Sequence, residues 1–267
     1  MPDKTHPSHP FDLPKCLLPP PPSITTTLLP PPGPSALSLP PTLLTTLTDP
    51  NTQPPPNNNH PTSFISALRI RIPVFVTEQK CPLDAEIDAD DARSWHWIAF
   101  DGERPVATLR LVPVTTAITT EGEGEGKGEV VVMEKEHVNL GGGDEEGERR
   151  VTEPYHGATK MWDGREPYIK IGRMATLAAY RGQGIAKRLI EESLAWSKTH
   201  AAELSSQGGG EGDDSKPLWK GLVLSHAQKN VQGWWGKMGF EVDVGLGVWW
   251  EEGIEHVGMW RRVEVVS

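Results

Sequence analysis

The chain has 267 residues and a formal net charge of -10. That balance excludes a general nucleic-acid binder, which needs clustered Lys and Arg to displace counterions from phosphates. Cys16 and Cys81 are the only cysteines, too few for a disulfide framework or a cysteine-rich metal site, so no metal is expected. No apolar run reaches the roughly 18 residues of a membrane span and the start lacks a signal-peptide pattern, so a soluble protein of the cytoplasm, or alternatively the nucleus, is expected.

Residues 1–61 contain PPPPS, LPPPGP and NTQPPPNNNH. Proline removes amide donors and breaks regular structure, so this stretch is expected to be a disordered or polyproline-II arm that can be deleted without unfolding the rest. Residues 62–267 are expected to form one domain. Residues 63–79 are dense in apolar side chains and suit a helix broken or ended near Pro73. The acidic DAEIDADD run that follows reads as a solvated loop.

WHWIAFDGERPVATLRLVPV reads as two antiparallel strands joined at Asp101-Gly102, a strong hairpin signal. From about 115 to 166 the chain carries EGEGEGKGE and GGGDEEGERR, glycine and like charge that cannot build a core, and is read as an insertion with one short strand at VVVM. EPYIKIGRMATLA then suggests a strand. YRGQGIAKRLIEESLAWSKTHAAEL suggests one long helix, with Ile185, Leu189, Ala195 and Trp196 on its apolar stripe.

A second acidic, Gly-rich insertion at about 205–216 precedes a strand at LWKGLVLSHA, a short helix at VQGWWGKMGF ended near Gly239, and two final strands. Trp95, Trp97, Trp249 and Trp250 fall in those strands and are read as core. This order gives a mixed α/β domain, not a fully alternating doubly wound one.

The most informative stretch is IGRMATLAAYRGQGIAKRLI, where a strand runs through a glycine turn into an amphipathic helix. The first amides of a helix have no internal partners, and with the helix dipole they favour a phosphate there. Gly182 and Gly184 allow a close backbone approach, small Ala186 keeps the first turn open, and Arg181 adds charge or braces the turn. A Walker loop fits poorly, because Gly184 is followed by Ile185; so does a dinucleotide fingerprint, because Lys187 holds the third glycine position. The remaining alternative is a helix start of purely structural importance.

At RGQGIA the sequence resembles the GNAT acetyltransferases, whose motif is Arg/Gln-x-x-Gly-x-Gly/Ala, and the preceding IGRMAT agrees. RIPVFVTEQKCPLDAEID, LSHAQ and EEGIEHVGM extend the resemblance to the ElaA-like branch. The resemblance implies a mixed, mostly antiparallel central sheet flanked by helices, with acetyl-CoA as co-substrate and a small-molecule or peptide amine as acceptor.

Residue by residue, it implies that Met174, Ala175 and Thr176 pair with the pantetheine arm. The amides of Gly182, Gln183, Gly184, Ile185 and Ala186 hold the pyrophosphate beside Arg181. Gln228 contacts the arm or caps the following helix, and Trp235 occupies the cofactor site where relatives carry a tyrosine that protonates the departing thiolate, which an indole cannot do.

An alkylamine with a pKa of about 10.4 must lose a proton before it attacks a thioester, so a base is required. Glu78, His226 and His256 are the candidates, with Asp88 beside them; for each, the other reading is a structural hydrogen bond or a solvated charge. The competing functional reading is a coenzyme A-binding or interaction module with little catalytic activity.

Overall fold

In the computed structural model, the structure describes residues 23–48, 62–115, 150–151, 158–206 and 218–266. Strands β1 (Ile24–Leu29), β2 (Trp95–Asp101), β3 (Arg104–Thr115), β4 (Arg150–Val151), β5 (Tyr168–Thr176), β6 (Leu222–Gln228), β7 (Glu241–Val242), β8 (Val248–Glu251) and β9 (Ile254–Arg262) form one sheet. Its order is β1-β2-β3-β5-β6-β9-β8-β4, with β7 pairing β9. All neighbours are antiparallel except β5 with β6 and β4 with β8, giving the mixed, mostly antiparallel sheet expected. Helices α1 (Pro41–Thr46), α2 (Thr62–Arg71), α3 (Ile185–Thr199), α4 (Ala201–Ser206) and α5 (Gln232–Lys237) flank it. The VVVM run and most of both acidic insertions lie outside the described residues.

Between its prolines the arm does not meet the expectation of disorder. The β-branched run ITTTLL pairs along β2 from Ile24↔Asp101 to Leu29↔His96, and an edge strand tolerates the flanking prolines because only one side of it needs donors. Pro41 stands at the first position of α1, where the missing amide has no partner to lose. Ala36, Leu39, Leu43, Leu44 and Leu47 then pack on Phe64, Ile65, Leu68 and Ile72. Residues 1–22 and 49–61 lie outside the described residues.

The α-helix does end near Pro73, at Arg71, but the helical rod continues. The chain widens into a π-helix over Ile72–Glu78, and its closing bonds, Gln79 N–H to Val74 O at 3.1 Å and Cys81 N–H to Phe75 O at 3.0 Å, bypass the proline's missing donor. Ala67, Ile70 and Val74 of this rod pack on Ile98, Ala175 and Leu177, fixing the rod across one sheet face. On the other face Trp95, Trp97, Leu109, Leu111, Ile169 and Ile171 meet Leu189, Ile190 and Leu194.

The long helix expected after the glycine turn is two helices, since the chain leaves helical geometry at His200, φ -121°. Its buried stripe is Ile185, Leu189, Ile190, Ser193, Leu194 and Ser197, whereas Ala195 is exposed. The two serines fit the core because each hydroxyl bonds back to a carbonyl of its own helix. Of the four strand tryptophans, Trp250 is exposed and the others are buried.

The acidic run after Cys81 is not a solvated loop. Asp88 starts a 3-10 turn over Ala89–Arg93 with a reciprocal capping box. Arg71, fully buried, reaches Glu86 and, at 2.7 Å, Asp91; Arg110 reaches Asp88 at 2.5 Å and Asp91 at 3.0 Å; Arg173 reaches Asp88 at 3.0 Å. Three guanidinium groups thus face three carboxylates beneath the sheet. Burial works against the Asp91 charge, and Arg71 and Arg110 outweigh it, holding its carboxyl far below the ordinary range.

Asp91→Asn leaves both cations short of charge in a dry site, and is expected to cost about 3–5 kcal/mol in urea unfolding. A loss under about 1 kcal/mol contradicts this, since that is the scale of an exposed pair.

Candidate functional site

Strands β5 and β6 run side by side only from Tyr168↔Leu222 to Ile171↔Ser225. There β5 bulges: Arg173 has φ +44°, and the register with β3 shifts between Thr108 and Arg110. Beyond that point residues 172–176 pair with β3 alone and residues 226–228 with β9 alone. The strands part, leaving unpaired backbone edges facing a cleft of about 720 Å³. Its walls come from both sheet faces: Ala186, Trp234 and Trp235 from α3 and α5, and Phe75, Glu78, Cys81 and Glu86 from the α2 side.

At the end of β5 the chain turns into α3 through Gly182, φ +75°, and Gly184, φ +78°. These left-handed values favour glycine, and a Cβ at either position meets nothing within 4 Å, so the turn faces open space. No side chain caps α3, leaving its first amides available to an anion. Arg181 is held beside the turn by Thr176 O at 2.9 Å and Glu78 at 2.5 Å, and Gln183 bonds Ala179 O at 3.1 Å.

Met174, Ala175, Thr176, Arg181, Ala186, Gln228, Trp235, Glu78, His226 and His256 all line this one cleft. Gly182, Gln183 and Gly184 form the exposed rim between Arg181 and Ala186, while Ile185 turns into the core. Gln228 does not cap the helix that follows it; its amide donates to Gln79 Oε1 at 2.9 Å across the mouth of the cleft. Trp235 is buried edge-on to Phe240 at 4.9 Å.

The candidate bases differ in what they can do. The Nδ1 of His256 lies 2.9 Å from Ile254 O. A carbonyl only accepts, so this nitrogen carries the proton and Nε2 keeps its lone pair. His226 stands edge-on to Trp249 at 4.8 Å, and Trp249 stacks on His256 at 6.3 Å, so one indole braces both imidazoles. Glu78 is engaged with Arg181.

Asp88 resists its burial because Arg110 and Arg173 stabilise the charge, which lowers its pKa and makes it a poor base. Burial, with Glu252, Glu86 and Glu251 nearby, pushes the Cys81 thiol up and keeps it protonated.

The sequence reading did not single out Lys170, Arg173, Ser225, Glu251 or Glu252, which also line the cleft. Ser225 lies within the LSHAQ block and the two glutamates open the EEGIEHVGM block, which was the available signal. Among the described residues no tyrosine lines the cleft, no three His, Cys, Asp or Glu side chains are grouped to hold a metal, and no helix is long and apolar enough to cross a membrane.

Residues 154–208, which contain the bulged strand, the glycine turn and α3, match the acetyltransferase (GNAT) family. Among solved structures, the chain is similar to an acyl-CoA N-acyltransferase from Pseudomonas aeruginosa at 21% identity, covering 90% of this chain and 99% of that one, with a TM-score of 0.44. It is similar to Escherichia coli ElaA at 20% identity, covering 75% and 91%, with a TM-score of 0.42. It is similar to the Bacillus subtilis N-acetyltransferase YlbP in complex with coenzyme A at 11% identity, covering 63% of this chain and 67% of that one, with a TM-score of 0.32. The segment similar to that family builds the strand, turn and helix start that shape the cleft.

Proposed function

We propose that the protein transfers the acetyl group of acetyl-CoA to an amine of a small molecule or peptide by direct attack. The observation that carries this reading is the parting of β5 from β6 into a cleft that ends at the uncapped start of α3. The unpaired edge at Met174, Ala175 and Thr176 takes the pantetheine arm as an added strand, and Gln228 meets it from the other wall. The amides of Gly182, Gln183, Gly184, Ile185 and Ala186 take the pyrophosphate, with Arg181 adding charge.

His256 takes the proton of the acceptor through Nε2, because its Nδ1 is committed to Ile254 O. The amine nitrogen attacks the thioester carbon, the C–S bond breaks, and the sulfur leaves with the electron pair. Trp235 supplies no proton. A thiol with a pKa of about 8.5 leaves tolerably as thiolate, so the step does not need the tyrosine.

The direct test is to incubate the full chain with acetyl-CoA and a panel of polyamines, amino acids, aminoglycosides and peptides. Amine-dependent release of free thiol is expected. Coenzyme A binding without release across the panel contradicts the enzyme reading and favours a binding module.

The phosphate placement has its own test. Gly184→Asp sets a carboxylate against the bound phosphates, and about a hundredfold weaker coenzyme A binding is expected by calorimetry, the scale of a few kcal/mol of charge repulsion. Gly184→Ala carries the same left-handed strain without charge and is expected to lose far less. Equal affinities of Gly184→Asp and wild type contradict the placement.

A further inference from the structure

Ser225 is the last residue of β6 paired with β5 and lies where the two strands begin to part. It is fully buried, lines the cleft, and its Oγ has no hydrogen-bond partner among the described residues. An unmet buried hydroxyl is costly, and such groups call for an explanation in a ligand or a catalytic role.

Side chains alternate along a strand. Val223 and Ala227 both join the cluster that contains Trp235, so Ser225, between them, faces the same side of the sheet. Among the described residues the cleft has no tyrosine, yet it holds a buried, unpartnered hydroxyl on the side where Trp235 packs.

We propose that Ser225 is a further catalytic residue, donating its Oγ–H to the coenzyme A sulfur as the C–S bond breaks. This rests on the acetyl-transfer reading above. The bookkeeping is simple: the amine nitrogen forms the new C–N bond, the C–S electron pair passes to sulfur, and the amine proton passes to His256. Ser225 transfers no proton. It stabilises the thiolate by a charge-assisted hydrogen bond, and its idleness in the free protein is the stability cost of holding that donor ready.

The test uses Ser225→Ala in the full chain with coenzyme A itself, following the thiolate of the bound cofactor by ultraviolet absorbance as pH is raised. In the wild type the bound thiol is expected to ionise at lower pH than in Ser225→Ala, with coenzyme A affinity at neutral pH alike in the two. The variant is expected to lose about ten- to a hundredfold in kcat, the scale of one hydrogen bond to a charged group, with KM for acetyl-CoA little changed.

Its melting temperature is expected to equal or exceed the wild type's, because removing an unpartnered hydroxyl costs no hydrogen bond; a structural serine would show the reverse. Ser225→Cys keeps the volume but donates weakly, and is expected to fall with alanine, so a packing defect in the alanine variant does not hide the result. Identical thiol ionisation in wild type and variants, or kcat within twofold, overturns the role of Ser225. Failure of the wild type to bind coenzyme A at all overturns the acetyl-transfer reading instead.

Discussion

Replacing His256 with glutamine is expected to lower kcat by a hundred- to ten-thousandfold, the range of a positioned general base, while leaving acetyl-CoA binding near wild type. Glutamine approximates the length of the imidazole and can still donate to Ile254 O, but it offers no nitrogen lone pair that accepts a proton near neutrality. The imidazole is suited to the role because Ile254 O fixes its tautomer at 2.9 Å and Trp249 stacks against it. A variant with kcat within threefold of wild type moves the base elsewhere, with His226 first in line because it meets the same indole.

Deleting residues 1–61 is expected to abolish cooperative unfolding or to lower the melting temperature by more than about 10 °C, well beyond the roughly 4 °C that 1 kcal/mol moves a domain of this size. The deletion strips β1 from β2 and removes Leu39, Leu43, Leu44 and Leu47 from the face of α2. At about 1.5–3 kcal/mol for each large apolar side chain buried, the gross loss rivals the roughly 5–15 kcal/mol that holds a domain together. The ordering entropy of the segment offsets part of it. Arg188 also loses its bond to Ile24 O at 2.9 Å. Calorimetry of the truncated protein decides the matter, and a melting temperature within about 2 °C of the full chain contradicts it.

Those two cases mark where the sequence was legible. The strand, glycine turn and helix start were readable because their signals are local: glycine before an amphipathic run needs no tertiary information to announce an uncapped helix end. The hairpin at Asp101-Gly102 was readable for the same reason, with Gly102 at φ +57°.

Residues 24–47 were misread because proline content was weighed over the β-branched run ITTTLL and over the tolerance of helix starts for proline. What decides their order is a partner far along the chain, the exposed edge of β2. The end of the α-helix near Pro73 was legible, but its continuation as a π-turn was not, since that depends on packing against Ile98 and Leu177.

The charged blocks show the same limit. DAEIDADD has the composition of a solvated loop, and only the fold brings Arg71, Arg110 and Arg173 against it. The proposed catalytic groups were partly legible: Glu78, His226 and His256 do converge on one cleft, yet nothing in their spacing distinguishes an imidazole with a fixed tautomer from a carboxylate already paired with Arg181. For Ser225 the LSHAQ block was the available signal, but its lack of a partner was not legible, because that is a property of the neighbours it does not have.

The central claim is that backbone amides at the start of α3 and along the free edge of β5 take the coenzyme. Hydrogen–deuterium exchange with and without acetyl-CoA tests it most directly. Slowed exchange is expected at residues 182–187 and 172–176, with little change on β1. Saturating ligand that leaves both stretches unprotected, while slowing exchange on another surface, contradicts the account.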